Sequence, residues 1–270
     1  MDLGLADARV LVVGGSRGMG RAAAETFARE GARVAVLARA SAALDEAVAT
    51  LHSAGSPESI ALVADLTSLA QVNAAIDHLG EQWGALEVLV NAAGPVDVGI
   101  GAFEGLDDDE WRATFDIGVL SAVRTVRRTL PLLRRGSFSR IVNVSAHSTR
   151  RQSPDLVAYT AAKAALSSLT KNLSQALAPD GILVNTVSPG SFLSEGMQGY
   201  LQSLPPERGV DSNSLTDAMR VIAEDFGHPA FLGRAGSPAE IGPVIAFLGS
   251  RTNSYMTGAD VNVDGGSDFT

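Results

Sequence analysis

The chain has 270 residues, 46% of them hydrophobic and 19% charged, enough for one large α/β domain with a substantial core. A formal net charge of -9 with no basic stripe argues against nucleic acid as the main partner, and the lack of cysteine excludes disulfides, a thiolate zinc site and a cysteine nucleophile. The amino terminus carries no basic leader pattern and no stretch reaches the roughly 18 uninterrupted apolar residues of a membrane span, so a cytoplasmic protein with no metal site is the expectation.

The apolar run Val10–Val13 reads as a first strand and stops at glycines 14, 15, 18 and 20. A helical pattern, Arg21 to Glu30, follows at once. Arg33–Ala38 reads as a second buried strand, and Ser41 caps a helix through His52. Ile60–Ala64 is a third strand, and Thr67 or Ser68 starts a helix to Trp83. Leu86–Val90 is a fourth strand; Asp107 to Asp109 open a long helix that Pro131 ends or kinks. Arg140–Ser145 is a fifth strand, Ala158–Leu177 an Ala-rich helix and Ile182–Val187 a sixth strand. Pro238–Gly249 is a helix and Asp260–Asp264 a last strand. Continuously apolar strands alternating with helices predict a doubly wound parallel sheet of Rossmann type, covered by helices on both faces. Residues 191–232 break this rhythm: they are polar, dotted with Gly and Pro, and weakly helical. A long irregular excursion in a compact domain predicts a binding lid over the carboxyl ends of the strands.

Strand, glycine turn and helix together present free backbone N–H groups and a positive helix end to a pyrophosphate. Gly14 allows the sharp turn, Gly18 keeps side chains away from phosphate, and Gly20 lets the helix sit close on the sheet. After the second strand, where an acidic side chain would take the ribose hydroxyls of NAD(H), the chain has Arg39. Arg17 lies inside the glycine turn. Two guanidinium groups without a competing acid favour NADP(H), with NAD(H) second; two solvated surface arginines are the plainer alternative. Asp65, after the third strand, is placed to accept from the adenine amine or to cap a helix. The small residues of Asn91-Ala-Ala-Gly94 let backbone approach the adenosine or simply pack tightly.

Tyr159 and Lys163 are four apart on a helix and share a face. A lysine ammonium one turn away is expected to lower the phenol's pKa, making the pair a general acid or base for alcohol–carbonyl interconversion. Lys163 is also placed to hold the nicotinamide ribose.

These residues resemble the short-chain dehydrogenase/reductase family in its roughly 250-residue form, from Leu5 to Gly266. The resemblance rests on Gly14-x-x-x-Gly18-x-Gly20, Asp65, Asn91-Ala-Ala-Gly94, Tyr159-x-x-x-Lys163, Asn185, Pro189-Gly190 and Val263-Asp-Gly-Gly266. It implies a seven-stranded Rossmann sheet, a homotetramer or homodimer, and hydride transfer between NAD(P)H and a carbonyl or alcohol. It also implies that Phe192 and Ser194 contact the nicotinamide carboxamide. The cofactor set is then Gly14, Ser16, Arg17, Gly18, Met19, Gly20, Arg39, Asp65, Leu66, Asn91, Ala93, Gly94, Tyr159, Lys163, Pro189, Gly190, Phe192 and Ser194. Where the glycine motif usually begins with Thr, this chain has Val13.

Two departures bear on chemistry. The family places a serine about thirteen positions before the tyrosine, to polarise the carbonyl; here that residue is Ala146. Ser145 should point to the other face of an extended chain, and Ser148 to the correct one, so Ser148 is the expected third catalytic residue. The asparagine of the central helix is replaced by Gly118. His147, Arg150 and Arg151 are placed to line the pocket, His147 as a possible proton donor and the arginines as attraction for an anion; a rim histidine and solvated charges are the alternatives. The apolar residues of the excursion, among them Met197, Leu201, Leu204, Met219 and Ile222, suggest either a pocket for a hydrophobic ketone or a lid packing on its own core. Three functions compete: an NADP(H)-dependent oxidoreductase on a small-molecule carbonyl or secondary alcohol, a family member with altered or non-redox chemistry, and a catalytically weak cofactor-sensing protein.

Overall fold

The computed structural model describes residues 2–95 and 98–267. Strands β1 (Arg9–Val13), β2 (Arg33–Ala38), β3 (Ser59–Val63), β4 (Val88–Asn91), β5 (Ser139–Val144), β6 (Ile182–Pro189) and β7 (Asp260–Val263) form one sheet in the order β3-β2-β1-β4-β5-β6-β7. Every neighbouring pair is parallel. The period of two divides β1 between the faces. Val10 and Val12 join one apolar layer, with Phe27, Ile241 and Ile245. Leu11 and Val13 join the other, with Ile76, Leu79 and Leu132. The first layer is closed by α1 (Gly18–Arg29) and α9 (Pro238–Leu248), the second by α3 (Leu69–Trp83) and α5 (Ser121–Leu133). Helix α2 (Ala42–Ala54) follows β2 and starts on the expected Ser41 cap, and α3 starts on Ser68.

The chain runs outward from β1 to β3 and then returns to the middle at β4. The carboxyl ends of β1 and β4 therefore flank the switch point at which such sheets open a crevice.

The long helix expected after Asp107 is three pieces: α4 (Asp108–Phe115), a π turn over Asp116–Leu120, and α5. Pro131 does not end it. Helix α5 runs on to Leu133, because a proline this near the terminus removes one ladder bond while the Arg134 N–H still reaches the Leu130 carbonyl. Helix α6 spans Val157–Ala176. Residues 191–232 contain α7 (Glu195–Ser203) and α8 (Leu215–Phe226). Leu193, Leu201, Ala218, Met219, Val221 and Ile222 make a core of their own there, with Met197 and Leu204 against it. Among the described residues no helix is long and apolar enough to cross a membrane.

Candidate active site

The glycine turn fits the backbone role expected of it. Gly14 has φ +78°, and a Cβ there would lie 2.7 Å from the Ala93 nitrogen. A Cβ on Gly20 would lie 2.3 Å from the Gly14 carbonyl oxygen, so β1, β4 and α1 meet only without side chains. At Gly18, φ +55°, the same atom would project into open space. The start of α1 has no side-chain cap, whereas α2, α3, α4, α7 and α8 each begin with a Ser or Asp side chain accepting from the first turn. Uncapped N–H groups beside open space suit an anionic phosphate. Ser16 and Met19 are half-buried in this turn, and Arg17 is exposed.

Arg39 is exposed past β2. Asp65 accepts from the Thr67 N–H (2.9 Å) and hydroxyl (2.7 Å). Those bonds hold its carboxyl below the usual range, with smaller help from the Arg39 and Arg124 charges. Arg124 was not anticipated from the sequence. It donates to the carbonyl of buried Leu66 at 2.9 Å and pairs with Asp116 of the π turn. Arg17 forms an ion pair of 3.4 Å with Glu195, joining the glycine turn to α7. The Arg124–Leu66 and Arg17–Glu195 contacts link residues far apart in sequence, and no local pattern marks them.

The Asn91 side chain is engaged inside the sheet. Its amide donates to Asn143 Oδ1 (2.9 Å), its oxygen accepts from Thr125 (2.7 Å), and Asn143 donates to Thr170 (2.9 Å). This buried chain of bonds fixes the carboxyl end of β4.

Lys163 lies one turn beyond Tyr159 on α6, as their spacing predicts. Its Nζ donates to the Val144 carbonyl oxygen at 2.8 Å. A Cβ on Gly94 would lie 3.1 Å from that Nζ, so the small residue at 94 makes room for the lysine. One expectation is corrected here. The Tyr159 phenol does not sit below its usual pKa as expected; burial pushes it up to about 12. Burial also brings Lys163 down to about 8, since the low-dielectric surroundings disfavour each charged form.

Ala146 is buried and extended, and its carbonyl accepts from the Thr149 N–H and hydroxyl. The Ser145 hydroxyl donates to the Lys163 carbonyl (3.0 Å) and accepts from Ser167 (2.9 Å), so it braces α6. Ser148 is buried, with its hydroxyl 3.5 Å from that of Thr160, the neighbour of Tyr159. A Cβ on Gly118 would lie 2.9 Å from the Ala162 Cβ, so no side chain fits at position 118 as packed. Pro189 and Gly190 end β6 against Asp264: a Cβ on Gly190 would sit 2.6 Å from its Cα. The Phe192 ring lies on Gly236 and belongs to the main core, while the Ser194 hydroxyl caps α7 through the Met197 N–H.

His147 Nδ1 lies 3.1 Å from the Pro189 carbonyl, and its ring stands edge-on to His228 with centroids 5.6 Å apart. His228 has no sequence signal of its own. Its pKa is lowered by burial, then by the charges of His147 and Arg151. Arg151 donates to the carbonyls of Ser267, Gly227 and Pro229, and Arg150 faces Asp260 at 3.6 Å. These arginines hold the protein's own groups rather than standing solvated.

A family profile described as enoyl-(acyl carrier protein) reductase matches residues 13–268. An uncharacterized oxidoreductase, YvrD of Bacillus subtilis, is 30% identical over 266 residues, 98% of each chain. L-sorbose reductase of Gluconobacter frateurii, solved with NADPH and L-sorbose, superposes with a TM-score of 0.92 at 27% identity over 100% of both chains. A short-chain oxidoreductase of Pseudomonas aeruginosa, described as containing an atypical catalytic center, gives 0.89 at 29% identity over 99% of both. The chain belongs to the short-chain dehydrogenase/reductase family of oxidoreductases.

Proposed function

We propose that the protein reduces the carbonyl of a small molecule to a secondary alcohol with NADPH. The observation that carries this reading is buried Lys163, one helical turn beyond half-buried Tyr159 on α6, bonded to the end of β5 at the Val144 carbonyl and lying against Gly94. The open N–H groups of residues 18–20 would hold the cofactor's pyrophosphate, and Arg39, Asp65 and Leu66 its adenosine. Arg17 and Arg39 select the 2′-phosphate. Loop 189–194 covers the nicotinamide, with residues 191–232 as a lid within one domain.

Held there, NADPH would be the source of the hydride that reduces the carbonyl carbon. Tyr159 Oη gives its proton to the carbonyl oxygen. The phenol is protonated at neutral pH, the form that serves as the acid in the reductive direction. Lys163 keeps positive charge beside the developing tyrosinate and orients the ribose. The Ser148 hydroxyl stands in for the serine replaced by Ala146. The NADPH and L-sorbose bound to the structural relative support this reading. The protein assembles in the cytoplasm as a homotetramer or homodimer through α5 and α6, beside the exposed Leu120.

The test is NADPH consumption with a panel of ketones. Tyr159→Phe should lower turnover about 10³-fold while the NADPH dissociation constant stays within about threefold. Unchanged turnover would remove the phenol from the mechanism.

A further inference from the structure

Arg124 of α5 joins two segments that its own helix does not contain. Its side chain is only 16% exposed. Nη1 donates to the Leu66 carbonyl at 2.9 Å, and Nη2 to the Asp116 carboxylate at the start of the π turn. A guanidinium reaches both partners at once because its donors form a rigid fork. The Leu66 carbonyl and the Thr67 N–H belong to one peptide group. That group is held at both ends, the oxygen by Arg124 and the N–H by Asp65 Oδ1 at 2.9 Å. The Thr67 hydroxyl donates to the same Oδ1 at 2.7 Å, and the Asp65 N–H donates to Gln71 at 2.9 Å. Oδ1 therefore takes two donors, while Oδ2 takes none from the described residues.

We propose that Arg124 is a positioning residue for the adenine of the dinucleotide: through the Leu66–Thr67 peptide it holds the Asp65 carboxylate with Oδ2 open to the ring amine. The inference rests on the NADPH reading, in which residues 65 and 66 hold the adenosine. A cation on the carbonyl polarises the peptide, and hydrogen bonds in a chain strengthen one another, so Arg124 tightens the Thr67 N–H bond to Asp65. The two Thr67 bonds, and after them the Arg39 and Arg124 charges, keep the Asp65 carboxyl below its usual range and hence ionised. An ionised carboxylate only accepts. Fixed in direction, it selects a 6-aminopurine, which donates, over a 6-oxopurine, which presents a second acceptor. Asp116 anchors the guanidinium from the other side, so the turn after β3 and the π turn are tied by one side chain.

The experiment titrates the full chain with NADPH and with deamino-NADPH, in which an oxo group replaces the adenine amine. Nicotinamide fluorescence reads the two dissociation constants, and their ratio is the observable. The native protein should favour NADPH about tenfold or more, the value of one hydrogen bond to a charged group. Arg124→Met should cut the ratio to about threefold or less by weakening NADPH, with deamino-NADPH kept within about twofold. Arg124→Lys, a point charge that serves one partner at a time, should cut the ratio only about threefold, and it carries the test if the methionine variant does not fold. Loss of a residue that merely clipped α5 to the turn would weaken both dinucleotides alike. An unchanged ratio in the folded variant therefore overturns the inference and leaves the NADPH reading intact, as does a native protein that binds both dinucleotides equally. A native protein that binds neither refutes the NADPH reading and the inference with it.

Discussion

At the carboxyl ends of β1 and β4 the protein meets its crevice through backbone, whereas at the ends of β5 and β6 it does so through side chains. The first region depends on what is missing. Gly14 and Gly20 are positions where a Cβ would strike backbone, and Gly94 is small because Lys163 lies against it. The second region depends on which side chains meet: Lys163 with Val144, His147 with Pro189 and His228, and Ser148 with Thr160. A backbone cradle tolerates few changes at its glycines but binds any ligand with the right phosphates. A side-chain wall can exchange members, and this one has Ala146 and Gly118 where the family has serine and asparagine. The difference predicts that substitutions in the second region change chemistry without loss of cofactor, and those in the first change the cofactor.

The sharpest break of that division would come from Lys163, which touches both regions. Below about pH 8 it is charged in the folded and unfolded chain alike, and only the folded chain bears the burial penalty. As pH rises through 8 the buried amine loses its proton, and above the unfolded value of 10.5 the penalty is gone. Lys163→Met should therefore stabilise the fold by about 2 kcal/mol at pH 7, after allowance for the lost bond to Val144. The gain should fade between pH 8 and 10.5 in denaturant titrations, while turnover falls about 10²-fold or more. A variant less stable at pH 7 would mean that the ammonium is satisfied where it sits.

Arg39→Asp tests the backbone region by charge alone. The new carboxylate joins Asp65, whose own field already includes Arg39, and both repel a 2′-phosphate. The NADPH-to-NADH preference should fall about 10- to 100-fold, the value of one or two charge-assisted hydrogen bonds. An unaltered ratio of dissociation constants would place Arg39 away from the phosphate.

Gly118→Asn restores the family residue where the structure leaves no room. Overpacking against Ala162 should destabilise the protein by about 1–3 kcal/mol. Ala162→Gly in the same chain should recover part of this, giving a coupling of about 0.5–2 kcal/mol in a double-mutant cycle. Strictly additive effects would show that Ala162 is not the obstacle.

What was legible in the sequence follows the same line. The sheet, its seven strands and the glycine turn could be read because buried parallel strands are continuously apolar and because a turn that admits no Cβ must be glycine. Tyr159 and Lys163 could be placed on one face because four residues make one helical turn. The direction of the Tyr159 shift could not, since it depends on how deeply the phenol is buried rather than on its neighbour in the sequence. The roles of Met219 and Ile222 were likewise open, because an apolar side chain carries no mark of which surface it will cover. They cover each other. Arg124 on Leu66 and His228 on His147 join elements that only the fold brings together.

The smallest effect bears on where the two regions touch. Arg17 of the glycine turn pairs with Glu195 at the start of α7, and the two side chains are 64% and 54% exposed. A pair so exposed is worth at most about 1 kcal/mol. With Arg17 serving the cofactor phosphate as proposed, the carboxylate would compete for Arg17 and repel that phosphate directly. Glu195→Gln removes both effects, so NADPH should bind up to about fivefold more tightly. The gain should shrink toward none at about 1 M salt, where the Debye length falls to about 3 Å. Arg17→Gln should weaken NADPH binding, and in that background Glu195→Gln should do less, because only the direct repulsion is left to remove. If Glu195→Gln weakens NADPH binding instead, the carboxylate is a ligand of the cofactor, and the lid helps to build the phosphate site rather than contesting it.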